Sequence, residues 1–227
     1  MTGKVIEFVG LPTSGKTTLY KKVAENYPAT DKVKIITLVT DTSPNKIYIL
    51  FKTPLLIISN AGKMSALMFF FIKNGKANSF NAKLLFLTIK IFLLTKYKQK
   101  QNSILLADGV FHLLAAMQYK SVNIAKTMAT FIQKNSHWYQ AVVYVDITKE
   151  EFSKRFNERL ILQDDFILCS YTAEQKQNYI DDVFARSLIL KDVLTQDSSR
   201  PLLLLSGNES LENNAERVTR FISKYVT

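Results

Sequence analysis

Apolar and polar positions alternate along the chain in two kinds of segment. Short, nearly continuous apolar runs bounded by turn-forming residues read as buried strands: Lys4–Val9 (KVIEFV), Val33–Thr40 (VKIITLVT), Asn102–Ala107 (NSILLA), Ala141–Asp146 (AVVYVD) and Pro201–Ser206 (PLLLLS). Between them lie helix-compatible stretches, beginning with Thr18–Asn26 and with Phe111–Lys134, which breaks at Ser121-Val122-Asn123. A further helix begins after Thr148, with Glu150 and Glu151 in the first turn, where the helix dipole favours acids, and Phe152, Phe156 and Leu160 as its buried stripe. Thr172–Leu194 and an amphipathic final helix carrying Leu211, Val218, Phe221 and Ile222 complete the series. Strands and helices in alternation predict an α/β fold, read here as a single domain over residues 1–227.

One stretch departs from this rhythm. Residues 47–100 are rich in Phe and Leu and studded with lysines, too long for single strands and without steady alternation, so they predict a helical insertion with a break at Asn74-Gly75 and Asn78-Ser79. Leu84–Thr95 (LLFLTIKIFLLT) is apolar almost all round as a helix, with Lys83 and Lys90 on one narrow stripe. Such a helix is buried in the core or a lid, or laid on a membrane surface as a peripheral contact. Charges interrupt it too often for a transmembrane span.

A chain of 227 residues with 47% hydrophobic content has enough material for a sizeable core. The single cysteine, Cys169, provides neither an intrachain disulfide nor a zinc cluster. Glu7 breaks the first apolar run, which rules out reading that run as a signal peptide, and a cytoplasmic protein is expected. The net charge of +11 suits an anionic small molecule, nucleic acid or the anionic face of a membrane. All six arginines, Arg155, Arg159, Arg186, Arg200, Arg217 and Arg220, fall in the last third. Arginine is the better bidentate clamp for phosphate, so its placement matters.

Specific chemistry enters at residues 10–17, GLPTSGKT, which join the first strand to the first helix. This is a phosphate-binding P-loop in its strand-loop-helix setting. Gly10 and Gly15 let the backbone of Thr13 and Ser14 wrap a phosphate, and the amides of Lys16, Thr17 and Thr18 open a helix toward it. Lys16 adds a point charge for the β- and γ-phosphates, and the Thr17 hydroxyl is a ligand for Mg²⁺. Two strands deliver acids toward the same crevice. Asp41 follows the second and is a candidate base or acceptor anchor, its alternative being a helix cap or Asx-turn. Asp108 follows the third in a Walker B arrangement, to hold Mg²⁺ or accept a proton. His112 follows within a helical turn. Arg155 and Arg159 share a helix face after the fourth strand and are candidates to cover the transferring group, Arg159 more so for its nearness to Gln163-Asp164-Asp165. The competing role for Arg155 is an i,i+4 ion pair with Glu151. Arg186 is a weaker candidate for the clamp, and the turn at Gly207-Asn208 is a place for a base to pack against backbone.

In order along the chain, GLPTSGKT, LLADG, YVDITKEEFSKRFNERL and LLLLSGN resemble the nucleoside and nucleotide kinase branch of P-loop proteins, and within it the thymidylate-kinase-like proteins. The resemblance implies a three-layer P-loop NTPase fold with a five-stranded parallel sheet of order 2-3-1-4-5, ATP and Mg²⁺ as cofactors, and an arginine-bearing lid at about 149–170. It also implies that Gly207 and Asn208 border the adenine. Residues 47–100 have no clear counterpart. Nucleoside-monophosphate kinases place an arginine after the second strand for the acceptor phosphate; here Asp41-Thr42-Ser43-Pro44 stands there, with only Lys46 and Lys52 nearby. The expectation is therefore a small-molecule kinase whose acceptor is a hydroxyl of a sugar, glycan or nucleoside, with no nucleic-acid partner. A zeta-toxin-like kinase of nucleotide sugars and a non-catalytic nucleotide switch or membrane-surface assembly factor are the alternatives.

Overall fold

A computed structural model of the chain describes residues 4–26, 33–36, 58, 60–99, 103–106, 109–120, 123–135, 139–162 and 172–226. β1 (Val5–Gly10) is buried at every position, as a strand in the middle of a covered sheet must be. With β2 (Val33–Ile36), β3 (Ser103–Leu106), β4 (Ala141–Asp146) and β5 (Leu202–Ser206) it forms one parallel sheet in the order β2-β3-β1-β4-β5. Val5 stands opposite Ile104, Ile6 opposite Ala141, and Val142 opposite Leu202. Strand order thus runs outward from β1 in both directions, which puts the carboxyl end of β1 at the topological switch point where such sheets bind ligands.

Successive strand residues face opposite layers. Ile6 and Phe8, with Val143, Val145 and Leu205, meet α1 (Lys16–Asn26) and α8 (Leu211–Val226) through Leu19, Tyr20, Val23, Ala215, Val218 and Ile222. Val5, Val9, Val142 and Tyr144 face the other layer, built from α2 (Ala61–Asn74), α3 (Ser79–Gln99), α4 (Val110–Ala116), α5 (Ile124–Lys134) and α7 (Ala173–Gln196). Each large apolar side chain fully buried in these layers contributes roughly 1.5–3 kcal/mol. α6 (Lys149–Leu162) adds a smaller cluster, Phe152 and Phe156 packing with Leu11, Ile147, Ile180 and Val183.

Helix ends follow local chemistry. The Asn123 side chain accepts from the Lys126 amide at 3.2 Å and starts α5 after the expected break. Thr172 and Gln175 form a reciprocal capping box at the head of α7. α2 ends at Asn74 and α3 begins at Ser79, so the Asn-Gly and Asn-Ser signals do mark a turn between helices. The inner faces of α2 and α3, through Leu67, Phe70, Phe71, Leu84, Ile91 and Phe92, belong to the same cluster as the strands. Their turn is tied down by Asn81, whose Nδ2 donates to the carbonyls of Lys76 and Gln118 at 2.8 Å each, and by a bridge from Gly75 to Tyr119.

Candidate active site

Residues 10–17 leave β1 at its carboxyl end and bend through three unusual backbone conformations, Gly10 at φ 153°, Thr13 at φ 65° and Gly15 at φ 89°. A Cβ on Gly10 would lie 2.5 Å from the Val145 carbonyl oxygen and 2.9 Å from Ser14 Oγ, so only glycine fits. Thr13 holds a left-handed conformation without being glycine, at a cost of about 1–3 kcal/mol, a strain that clusters at ligand clamps. The Leu19 amide donates to Gly15 at 2.9 Å, so α1 starts within the loop and turns the positive end of its dipole toward the loop's mouth.

The side chains suit a nucleotide phosphate and a hard cation. Thr13 Oγ1 and Ser14 Oγ are buried without a hydrogen-bond partner in the protein, and a buried polar atom of that kind calls for an outside group. Lys16 is buried, its Nζ 3.4 Å from the Leu11 carbonyl, curled along the loop. Thr17 and Thr18 are exposed at the head of α1, with Thr17 as the residue that would hold Mg²⁺.

Two more elements close on this loop. Arg155, from α6, reaches to 4.0 Å from the point where a Cβ on Gly15 would stand. Its Nε donates to Glu151 at 2.6 Å and its Nη2 to the Gly207 carbonyl at 3.3 Å. Its guanidinium is therefore held between the P-loop and the turn after β5. Arg159 lies one turn farther along α6 and is exposed. Sequence position alone favours Arg159; the structure brings the Arg155 guanidinium to the loop. Arg186 is no clamp: it is buried on α7, with Nε donating to the Ala115 carbonyl at 2.9 Å and Nη1 paired with Asp182.

Gly207, in the turn after β5, packs against the same loop. A Cβ there would stand 2.5 Å from Ile147 Cγ2 and 2.9 Å from the Ser14 carbonyl oxygen. The absence of a side chain lets the turn press on the P-loop. Asn208, exposed, lines a shallow cavity of about 290 Å³ at the ends of β4 and β5, together with Asp146, Thr148, Lys191, Ser206 and Arg217. Asp41, Asp108, Lys46, Lys52, Cys169 and Gln163-Asp164-Asp165 lie outside the described residues.

Beneath the loop sits a buried polar group that the sequence reading passed over. Glu7 of β1 is fully buried, and its Oε1 accepts from the His112 amide at 3.1 Å. Its carboxyl fills the space beside Gly109, where a Cβ would stand within 2.6 Å of both its oxygens. His112 Nδ1 is 3.2 Å from the Gly10 carbonyl, so the imidazole steadies the first residue of the P-loop. Tyr139, packed on Phe111 at 4.9 Å between centroids, accepts from the Val110 amide at 3.2 Å. Burial, then the charge of Glu7, holds its hydroxyl well above the ordinary tyrosine range. Arg200 stands 5.1 Å over the Phe111 ring and pairs with Asp197 at 2.8 Å. Burial lowers its guanidinium, against the pull of Asp197 and Glu7. One signal was available: Glu7 is the sole acid inside the first apolar run, and an acid buried there needs partners.

Known structures share this architecture. The structure of deoxyadenosine kinase from M. mycoides with bound dATP matches at a TM-score of 0.54 and 11% identity, covering 96% of this chain and 99% of that one. The structure of the same enzyme with bound dCTP matches at a TM-score of 0.48 and 12% identity, over 97% and 99% of the two chains. No family model matches the chain, and no curated protein does. The first likeness establishes a shared fold, an α/β fold on a parallel sheet.

Proposed function

We propose that the chain is an ATP-dependent P-loop kinase that transfers the γ-phosphoryl group to an acceptor hydroxyl, with a nucleoside first among the acceptor classes and a sugar or glycan next. The observation that carries this reading is the convergence of three elements on residues 10–17: two buried hydroxyls without protein partners, Lys16 along the loop, and the Arg155 guanidinium at Gly15. The fold shared with a protein named deoxyadenosine kinase supports the choice of a nucleoside. The narrower thymidylate-kinase-like placement rests on the order of the sequence motifs alone.

In this reading Gly10, Thr13, Ser14 and Gly15 cradle the phosphates of ATP, and Lys16 balances their charge. Thr17 and, on sequence grounds, Asp108 hold Mg²⁺, which when bound neutralises charge on the phosphate oxygens. Arg155 stabilises negative charge that develops on the transferring group, and Arg159 assists from the next turn. Asp41 takes the acceptor's proton or fixes its hydroxyl. The lysine-only neighbourhood of Asp41 favours an acceptor without a phosphate. Products are ADP and the phosphorylated acceptor.

The test is phosphorylation of nucleosides, sugars and nucleotide sugars by labelled ATP, with products identified by mass. Acceptor-dependent ADP release that vanishes in Lys16→Ala supports the proposal. Tight ATP binding with no acceptor-dependent release across all three classes rejects it and favours a nucleotide-binding switch. Turnover on nucleotide sugars alone favours the zeta-toxin-like reading.

A further inference from the structure

Of the nine large apolar side chains exposed among the described residues, seven lie between Ile58 and Leu87. Phe69 and Ile72 of α2 are each 65% exposed, and Phe86 of α3 is 72% exposed. The core does not need them, since the inner faces of both helices already pack on one cluster through Leu67, Phe71, Ile91 and Phe92. Because both inner faces turn to the same cluster, both outer faces turn away from it. An apolar concentration of this kind on an outer surface marks an interaction site.

Charge identifies what covers it. From Thr42 to Ala107 the sequence holds ten lysines and no Asp or Glu. Those ten account for all but one unit of the net charge of +11, because the rest of the chain sets twenty basic residues against nineteen acidic ones. Lys83, Phe86 and Lys90 are exposed along one stripe of α3. On α2, Lys73 Nζ lies 5.8 Å from the Phe69 ring centroid, an arrangement that leaves an ammonium beside an exposed aromatic ring. Aromatic residues mixed with lysines, with no acid among them, are the composition of a surface that settles into anionic headgroups. A second copy laid symmetrically on the same face would set lysines against lysines with no carboxylate to separate them.

We infer that the outer face of the α2–α3 hairpin docks on an anionic lipid bilayer, with Phe69, Ile72 and Phe86 entering the headgroup layer and Lys73, Lys83 and Lys90 meeting lipid phosphates. No helix among the described residues is long and apolar enough to cross a membrane, so the contact is peripheral. Asn81 pins the hairpin turn to Gln118, which holds the docking face in a fixed relation to the sheet. The inference stands independently of the kinase reading.

Co-sedimentation of the full chain with vesicles of phosphatidylcholine mixed with phosphatidylglycerol tests it, with pure phosphatidylcholine vesicles alongside. The chain should bind the mixed vesicles and not the neutral ones, and added salt should weaken the binding. Lys83→Glu with Lys90→Glu should reduce affinity at least about tenfold, as should Phe69→Ser with Phe86→Ser, both with unchanged circular dichroism because the side chains are exposed. Absence of binding to mixed vesicles, or equal binding by folded variants, overturns the inference. So does a dimer, seen by light scattering and dispersed by the same substitutions, in a chain that ignores lipid: the face would then join two copies.

Discussion

Arg155→Ala separates a residue that shapes the protein from one that acts on substrate. Its structural roles are small. The pair with Glu151 is an i,i+4 contact at 2.6 Å between side chains 28% and 27% exposed, a class worth about 0.3–0.5 kcal/mol. The bond to the Gly207 carbonyl, at 3.3 Å, adds about 1 kcal/mol. If nothing more is involved, the substitution lowers Tm by a few degrees, at roughly 2–4 °C per kcal/mol for a chain of this size, and leaves turnover nearly intact. If the guanidinium stabilises the transferring phosphoryl group, the loss is about 10³–10⁵ in kcat, or about 4–7 kcal/mol. The two outcomes differ by more than either measurement's error. Thermal melting and ADP release, with whichever acceptor supports turnover, read them side by side. Glu151→Gln is the companion variant: it removes the ion pair while leaving the guanidinium in place, and kcat should fall less than about tenfold. A folded Arg155→Ala protein with kcat within about tenfold of the parent would refute the catalytic role and leave only the ion pair.

Three further outcomes are expected. Lys16→Ala should lower phosphoryl transfer by about 10² or more while circular dichroism stays unchanged, since the substitution leaves the glycines and the backbone of the loop in place; retained transfer would contradict this. Gly207→Ala should weaken ATP binding, raising KM about tenfold or more, because its methyl would meet Ile147 and Ser14 at 2.5 and 2.9 Å; an unchanged KM would show that the turn can move without cost. Burial, against the bond to Ser187 and with Asp146 and Asp192 adding to it, pushes the Tyr144 hydroxyl up to about 12. The folded protein keeps that hydroxyl neutral while the unfolded chain ionises near pH 10, so stability present below pH 10 is lost as pH climbs toward 12, by about 3 kcal/mol. Denaturant titrations of Tyr144→Phe should show a shallower alkaline loss, and parallel curves would count against this assignment.

What could be read from the chain, and what could not, divides by range. β1, β3 and β4 are visible because strands covered on both faces need apolar residues at nearly every position, the edge strand β5 by its leucine run although only Leu205 is buried, and GLPTSGKT because its glycines and lysine serve a local bend. The turn between α2 and α3 announces itself in Asn74-Gly75 and Asn78-Ser79. Long-range pairings leave no such trace. Glu7 meets His112 across 105 positions, and nothing in the spacing of either residue foretells it. The approach of Arg155 to Gly15 depends on tertiary packing, with Phe152 and Phe156 of α6 in one cluster with Leu11 and Ile147. Arg186 shows the converse: an arginine on an expected helix, consumed by Ala115 and Asp182. For α3, periodicity was silent because both sides are apolar, one for the core and one exposed.

α4 is only seven residues long, about 10 Å of helix. At its head, Glu7 grips the His112 amide and the imidazole reaches Gly10; just past its foot, Gln118 receives Asn81 and Tyr119 bridges Gly75. A rod so short has no slack. Nudging the hairpin turn by an ångström would therefore be felt at residues 10–17, and a change at Asn81, remote from any chemistry, would register in melting temperature through its lost hydrogen bonds and at the far end of the rod in nucleotide affinity.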